Sequence, residues 1–93
     1  MINKDIEKIR KKLDKLDNKF LSLIKKRTIL VNDVLKVKKH KNQIIDKKRI
    51  RIILKNIKKK SIRSKIDYKI TDKIWKSMIK AFIDYEFRNF KKK

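Results

Sequence analysis

Residues 9–27 read IRKKLDKLDNKFLSLIKKR, and the apolar positions in this stretch decide the fold. Ile9, Leu13, Leu16, Phe20, Leu23 and Ile24 recur at steps of three and four, which places them on one face of a helix. The series reaches back to Ile6 and forward through Leu30, Val31, Val34 and Val37, with no glycine or proline to interrupt it. The spacing predicts a single helix over about residues 4–38. Such a helix is about 52 Å long at 1.5 Å per residue. A compact chain of this length has a radius of gyration of only about 12 Å. The helix therefore overhangs any core the chain builds alone, and its apolar stripe is expected to pack against a second copy.

Two further helices follow. KKHKNQ (38–43) reads as a loop, although it lacks the usual glycine. Asp46 is suited to cap a short helix from 46 to about 59, with Ile50, Ile53, Leu54 and Ile57 on one face. KKKSIRSKIDYK (58–69) reads as a connection, with Ser61 and Ser64 as turn residues. Thr71 is the expected cap of a third helix running to Phe90, whose apolar face carries Ile74, Trp75, Met78, Ile79, Phe82, Ile83, Phe87 and Phe90. The last residues, 91–93, are expected to fray. Nothing reads as a strand. The expectation is an all-α chain with a long, a short and a medium helix, forming one domain over 1–93.

Composition narrows the chemistry. The 93 residues contain no Cys, Gly or Pro and a single histidine, His40. Thiolate metal sites and disulfides are excluded, and histidine-based catalysis or metal binding is disfavoured. No metal site is expected. No apolar run reaches the roughly 18 residues of a membrane span, and the start lacks a signal-peptide core, so the chain is expected in the cytoplasm. The net charge of +22 has three readings: a polyanionic partner, a positive field for a small anionic substrate, or mutational bias toward lysine and isoleucine. Lysines spread along the whole chain favour the last. Phe20, Trp75, Phe82 and Phe87 lie on core faces, so no aromatic platform for nucleic-acid bases is visible.

The informative residues are charges in line with apolar stripes. Arg27 falls in the series 20, 23, 24, 27, 30, 31, 34, and Lys38 extends it. Glu86 falls in the series 75, 78, 79, 82, 83, 86, 90. Arg27 and Glu86 could pair with each other, Lys38 could snorkel at a helix end, or the three could meet a ligand. Arg10 differs. It lies about 25 Å along the axis and about 100° around it from Arg27, so one small ligand cannot meet both from one straight helix. Either they are unrelated or each serves a different site. In an antiparallel dimer, the Arg10 end of one helix approaches the interior of its partner.

With these residues in view, the chain resembles the AroQ-class, all-helical chorismate mutase family. The carriers are IRKKLDKLDNKFLSLIKKR (9–27), Lys38, IIDKKR (44–49) and IWKSMIKAFIDYE (74–86). The family pattern is an arginine opening a run IR..ID.ID..LL.L...R, a lysine eleven residues after the second arginine, D..R at the start of the second helix, and Gln or Glu late in the third. The resemblance implies an intertwined homodimer with two active sites, no cofactor and a small dianionic substrate. It implies that Arg10 reaches into the partner's site and that Arg27 grips a substrate carboxylate. Lys38 and Glu86 would face the ether oxygen, and Asp46 and Arg49 would sit nearer the ring hydroxyl. Val34, Ile50, Ile79, Phe82 and Ile83 would line the pocket. Glu86 can donate a hydrogen bond only while protonated, so activity is expected to fall as pH rises through its titration.

Three departures bear on the substrate. Ile50 follows Arg49 where mutases usually carry a glutamate, Phe82 occupies a position often filled by serine, and the Lys38–Arg49 loop is one residue shorter than is common. All three are similar to the isochorismate pyruvate-lyase branch of the same family, which forms salicylate. Chorismate is the first expectation for the substrate and isochorismate the second. A basic helical module for nucleic acid or a membrane surface is the competing class; neither a specific nucleic acid nor a membrane is expected as a partner.

Overall fold

A computed structural model describes residues 3–91. Of the tail expected to fray, 92 and 93 lie outside the described residues. Three helices account for most of the chain: α1 (Lys4–Val37), α2 (Lys47–Arg63) and α3 (Tyr68–Asn89), with one 3-10 turn at Lys41–Gln43 before α2. No strand occurs among the described residues. The all-α architecture of long, short and medium helices is the one the periodicity predicts. No described helix is long and apolar enough to cross a membrane.

The chain divides into two units, one ending at Val31 and one beginning at Asn32. The first is α1 from its start to Val31. Asn3 opens it: its Oδ1 accepts from the backbone N–H of Asp5 at 2.9 Å and of Ile6 at 3.3 Å. These are orphan donors of a helix start, and Asp5 and Glu7 in the first turn suit the helix dipole. Its apolar stripe is exposed: Ile9 is 57% accessible and Phe20 58%.

The second unit holds the end of α1, the 3-10 turn, α2 and α3. Asp46 caps α2 as its sequence position suggests, Oδ1 accepting from Arg49 N–H at 2.9 Å. α2 then runs further than expected. It does not stop near Lys59 but continues to Arg63, and Ser61 is a buried helical residue rather than part of a turn. The helix ends instead at Ser64–Ile66. Ile66 N–H donates to Ser61 O at 2.8 Å and Lys65 N–H to Ile62 O at 3.2 Å, the bonds of a Schellman closure. Lys65 adopts the left-handed conformation this closure needs, with φ 58°. Glycine would normally stand there, and the chain has none.

The start of α3 also differs from expectation. Asp67, not Thr71, is the cap, accepting from Lys69 N–H at 2.9 Å. Thr71 lies in the first turn, buried, with Oγ1 2.8 Å from Ser61 Oγ. Ser61 also donates to Ile57 O at 2.6 Å, so the two hydroxyls satisfy each other where α2 packs on α3. Thr71→Val keeps the shape but leaves Ser61 a partner short. It is expected to cost about 1–3 kcal/mol, read as a lower urea midpoint at unchanged slope; no shift would show the bridge to be energetically idle.

The same two helices meet at Tyr68. Lys58 Nζ lies 5.1 Å from the centre of its ring, and the Tyr68 hydroxyl donates to Asp72 Oδ1 at 3.1 Å. Lys76 bonds Asp72 at 2.9 Å, and this hydrogen bond, with that of Tyr68, holds the Asp72 carboxyl below the usual range.

Candidate active site

Lys38 and Glu86, two of the three charges the sequence sets in line with apolar stripes, meet in the second unit. Lys38 is the first residue beyond α1, and its N–H still donates to Val34 O at 3.1 Å. Its Nζ donates to Glu86 Oε1 at 2.9 Å, with side-chain exposures of 17% and 10%. Lys38 therefore does not snorkel to solvent. Glu86 is buried near the end of α3. A pair this enclosed is screened little by water, and each charge depends on the other.

Two features hold the pair in place. The neighbouring Tyr85 donates its hydroxyl hydrogen to Asn32 Oδ1 at 2.9 Å, so consecutive residues of α3 each bond to the C-terminal segment of α1 or the residue after it. Tyr85 also packs edge-on against Phe82, ring centres 6.5 Å apart. On the other side, Gln43 Oε1 accepts from Lys39 N–H at 2.7 Å and His40 N–H at 2.9 Å. The loop that leaves Lys38 is thus tied by a side chain, which does the work of the missing glycine. Sequence reasoning missed Asn32, Gln43 and Tyr85. For Gln43 a signal existed: a glutamine three residues after the residue that caps the turn, His40, is the second half of a capping box.

The remaining candidates stand as follows. Asp46 spends a carboxylate oxygen on the cap, which orders the backbone of Arg49; the Arg49 side chain is exposed. Ile50, Ile79, Phe82 and Ile83 are half-buried and Val34 is exposed. Arg10 and Arg27 belong to the first unit, Arg10 exposed and Arg27 half-buried. A cavity of about 380 Å³ is lined by Lys39, His40, Lys41 and Phe90; neither Lys38 nor Glu86 contributes to it. Among the described residues no cluster of His, Cys, Asp or Glu could hold a metal ion.

The family model for chorismate mutase type II matches residues 9–87. The chain belongs to the chorismate mutase type II family. No curated protein and no solved structure gives a significant match. Membership supports chorismate mutase-type activity, an isomerase chemistry with chorismate as the family's substrate. A structural three-helix chain gains nothing from burying Glu86 that an apolar residue would not provide.

Proposed function

We propose that the chain catalyses the rearrangement of chorismate to prephenate, as a homodimer whose two sites each draw on both chains. The step is pericyclic and needs no nucleophile, metal or cofactor. What it needs is a folded conformer of a dianion and stabilisation of the negative charge that develops on the ether oxygen as the C–O bond breaks. The observation that carries the proposal is the Lys38–Glu86 pair, a charged donor beside a buried group able to become one.

Each residue has a part. Arg27 binds a carboxylate in its own chain's site and Arg10 a carboxylate in the partner's; guanidinium forks match carboxylates in a way lysine does not. Lys38 donates to the ether oxygen. Glu86 holds Lys38 in the resting state and donates to the same oxygen once protonated. Asp46 and Arg49 lie toward the ring hydroxyl, and Val34, Ile50, Ile79, Phe82 and Ile83 line the pocket. The exposed stripe of the first unit, from Ile6 to Ile24, supports the dimer, because a second copy supplies an apolar face of the same length and period. Residues 1–93 then act as one functional domain in the cytoplasm, with the prephenate serving phenylalanine and tyrosine synthesis.

Elimination of pyruvate from isochorismate is the second reading. Ile50 favours it, since a half-buried apolar side chain stands directly after Arg49 where a carboxylate would receive the ring hydroxyl. One assay separates the two. The protein is given each isomer, and prephenate is resolved from salicylate plus pyruvate. Prephenate from chorismate is expected. Salicylate formed from isochorismate without prephenate assigns the lyase step, and turnover of neither overturns both.

A further inference from the structure

The charge of the chain is not evenly mixed along its helices. Nine of the 17 residues of α2 are Lys or Arg and none is Asp or Glu. α1 interleaves Asp5, Glu7, Asp14, Asp17 and Asp33 with its cations, and α3 carries Asp72, Asp84 and Glu86. Within α2 the cations are ordered. Lys47, Arg51, Lys55, Lys59 and Arg63 follow one another at intervals of four, all exposed. They form a single ridge along the i+4 row, with one cation about every 6 Å over about 24 Å, turning about 40° per step. Lys48 flanks the ridge. The substrate-facing residues proposed above, Asp46 and Arg49, are not on it.

The opposite face of α2 is already committed. Ile50, Ile53, Leu54 and Ile57 are half-buried and Ser61 is bonded to Thr71 of α3. A helix that inserts into a bilayer needs its apolar face free, and α2 does not have it to offer. The ridge side carries only Ile52 and Ile62 as exposed apolar residues, ten positions apart, and no aromatic side chain. It has charge at regular intervals, nothing to stack on bases, and no anchor for a lipid or a protein pocket.

We propose that the outer ridge of α2 binds the phosphate backbone of nucleic acid without regard to sequence. Regularly spaced cations meeting a regularly charged polymer release its condensed counterions, which gives affinity with a steep salt dependence. This function stands apart from the mutase site, so either can fail without the other.

Total charge alone produces some binding to any polyanion, and the test must remove that contribution. Two variants lose the same four charges from a chain of net charge +22. One carries Arg51→Gln, Lys55→Gln, Lys59→Gln and Arg63→Gln. The other carries Lys8→Gln, Lys11→Gln, Lys15→Gln and Lys19→Gln on the exposed polar face of α1. Binding to a mixed-sequence DNA duplex is followed by fluorescence anisotropy while salt rises from about 50 to 200 mM. Loss of four phosphate contacts makes the slope of log K against log salt shallower by about 3 to 4 for the ridge variant. The α1 variant is expected to change by less than 1. Both variants should keep their helical circular dichroism and their chorismate turnover. Equal loss in the two variants overturns the proposal, as does absence of duplex binding by the unaltered chain. So does ridge-dependent binding to phosphatidylserine vesicles with none to DNA, which would assign the ridge to lipid.

Discussion

Replacing Lys38 by methionine is expected to lower kcat for chorismate by about 10²–10³-fold, the usual cost of removing one preorganised donor to a developing oxyanion. Glu86→Gln is expected to leave kcat near the unaltered value. Lys38 Nζ donates to Glu86 Oε1 at 2.9 Å. In the resting site Glu86 accepts from Lys38, and as a carboxylate it would repel the negative charge that forms on the ether oxygen. It helps only when it carries a proton and donates. Glutamine offers an N–H to that oxygen without needing a proton, so the variant keeps a donor there. If Glu86 instead acts only as the negative partner that orients Lys38, glutamine loses activity. Lys38→Met alone leaves a buried carboxylate without its cation, which endangers folding. The double variant Lys38→Met, Glu86→Gln removes that hazard and should show the same loss of kcat.

The stripe of α1 was legible because a helix face needs only its own period to be seen, and a breaker-free run from Ile6 to Val37 leaves no alternative. The caps divide. Asp46 stands where its carboxylate meets α2's first free N–H groups, and the structure finds it there. Thr71 looks equally good in sequence, yet Asp67 takes that place and Thr71 turns inward to Ser61. A hydroxyl side chain reads as a turn or a cap when only neighbours along the chain are considered. Whether it bridges two helices instead depends on their register, which local sequence does not encode. The same applies to Lys38 and Glu86. Periodicity marks each as a charge on an apolar face, but the choice of partner is made by tertiary packing. Gln43 escaped because a glutamine in a polar loop has many uses, and only the fold of residues 38–43 selects one. The cation ridge of α2 was hidden by arithmetic over the whole chain. Counted chain-wide, the lysines look dispersed. Counted by helix face, five of the cations share a row.

Mixing two inactive chains is expected to restore activity. Arg10→Ala and Arg27→Ala should each lower kcat/KM by about 10²-fold or more, since each removes a charge-assisted, forked grip on a substrate carboxylate. α1 is continuous from Lys4 to Val37, so the two arginines lie about 25 Å apart along it and cannot hold one substrate from one chain. They can do so only from two. In a dimer of one Arg10→Ala chain and one Arg27→Ala chain, both losses fall in one pocket and the other pocket is intact. Random re-pairing of equal amounts puts about half of the dimers in this mixed state, so about a quarter of all pockets recover. Neither variant alone can recover, because each of its pockets lacks the same residue. The exposed stripe from Ile6 to Ile24 makes exchange of chains a real requirement: mild urea followed by dilution should unlock it, and mass spectrometry of a tagged chain should confirm it. Proven exchange without recovery would remove Arg10 from the partner's site. Recovery to about a quarter, with KM equal to that of the unaltered protein, requires that an intact pocket takes Arg27 from one chain and Arg10 from the other. A mere stabilising contact at the interface would change the dimer's dissociation and leave the activity of the assembled dimers unequal to that fraction.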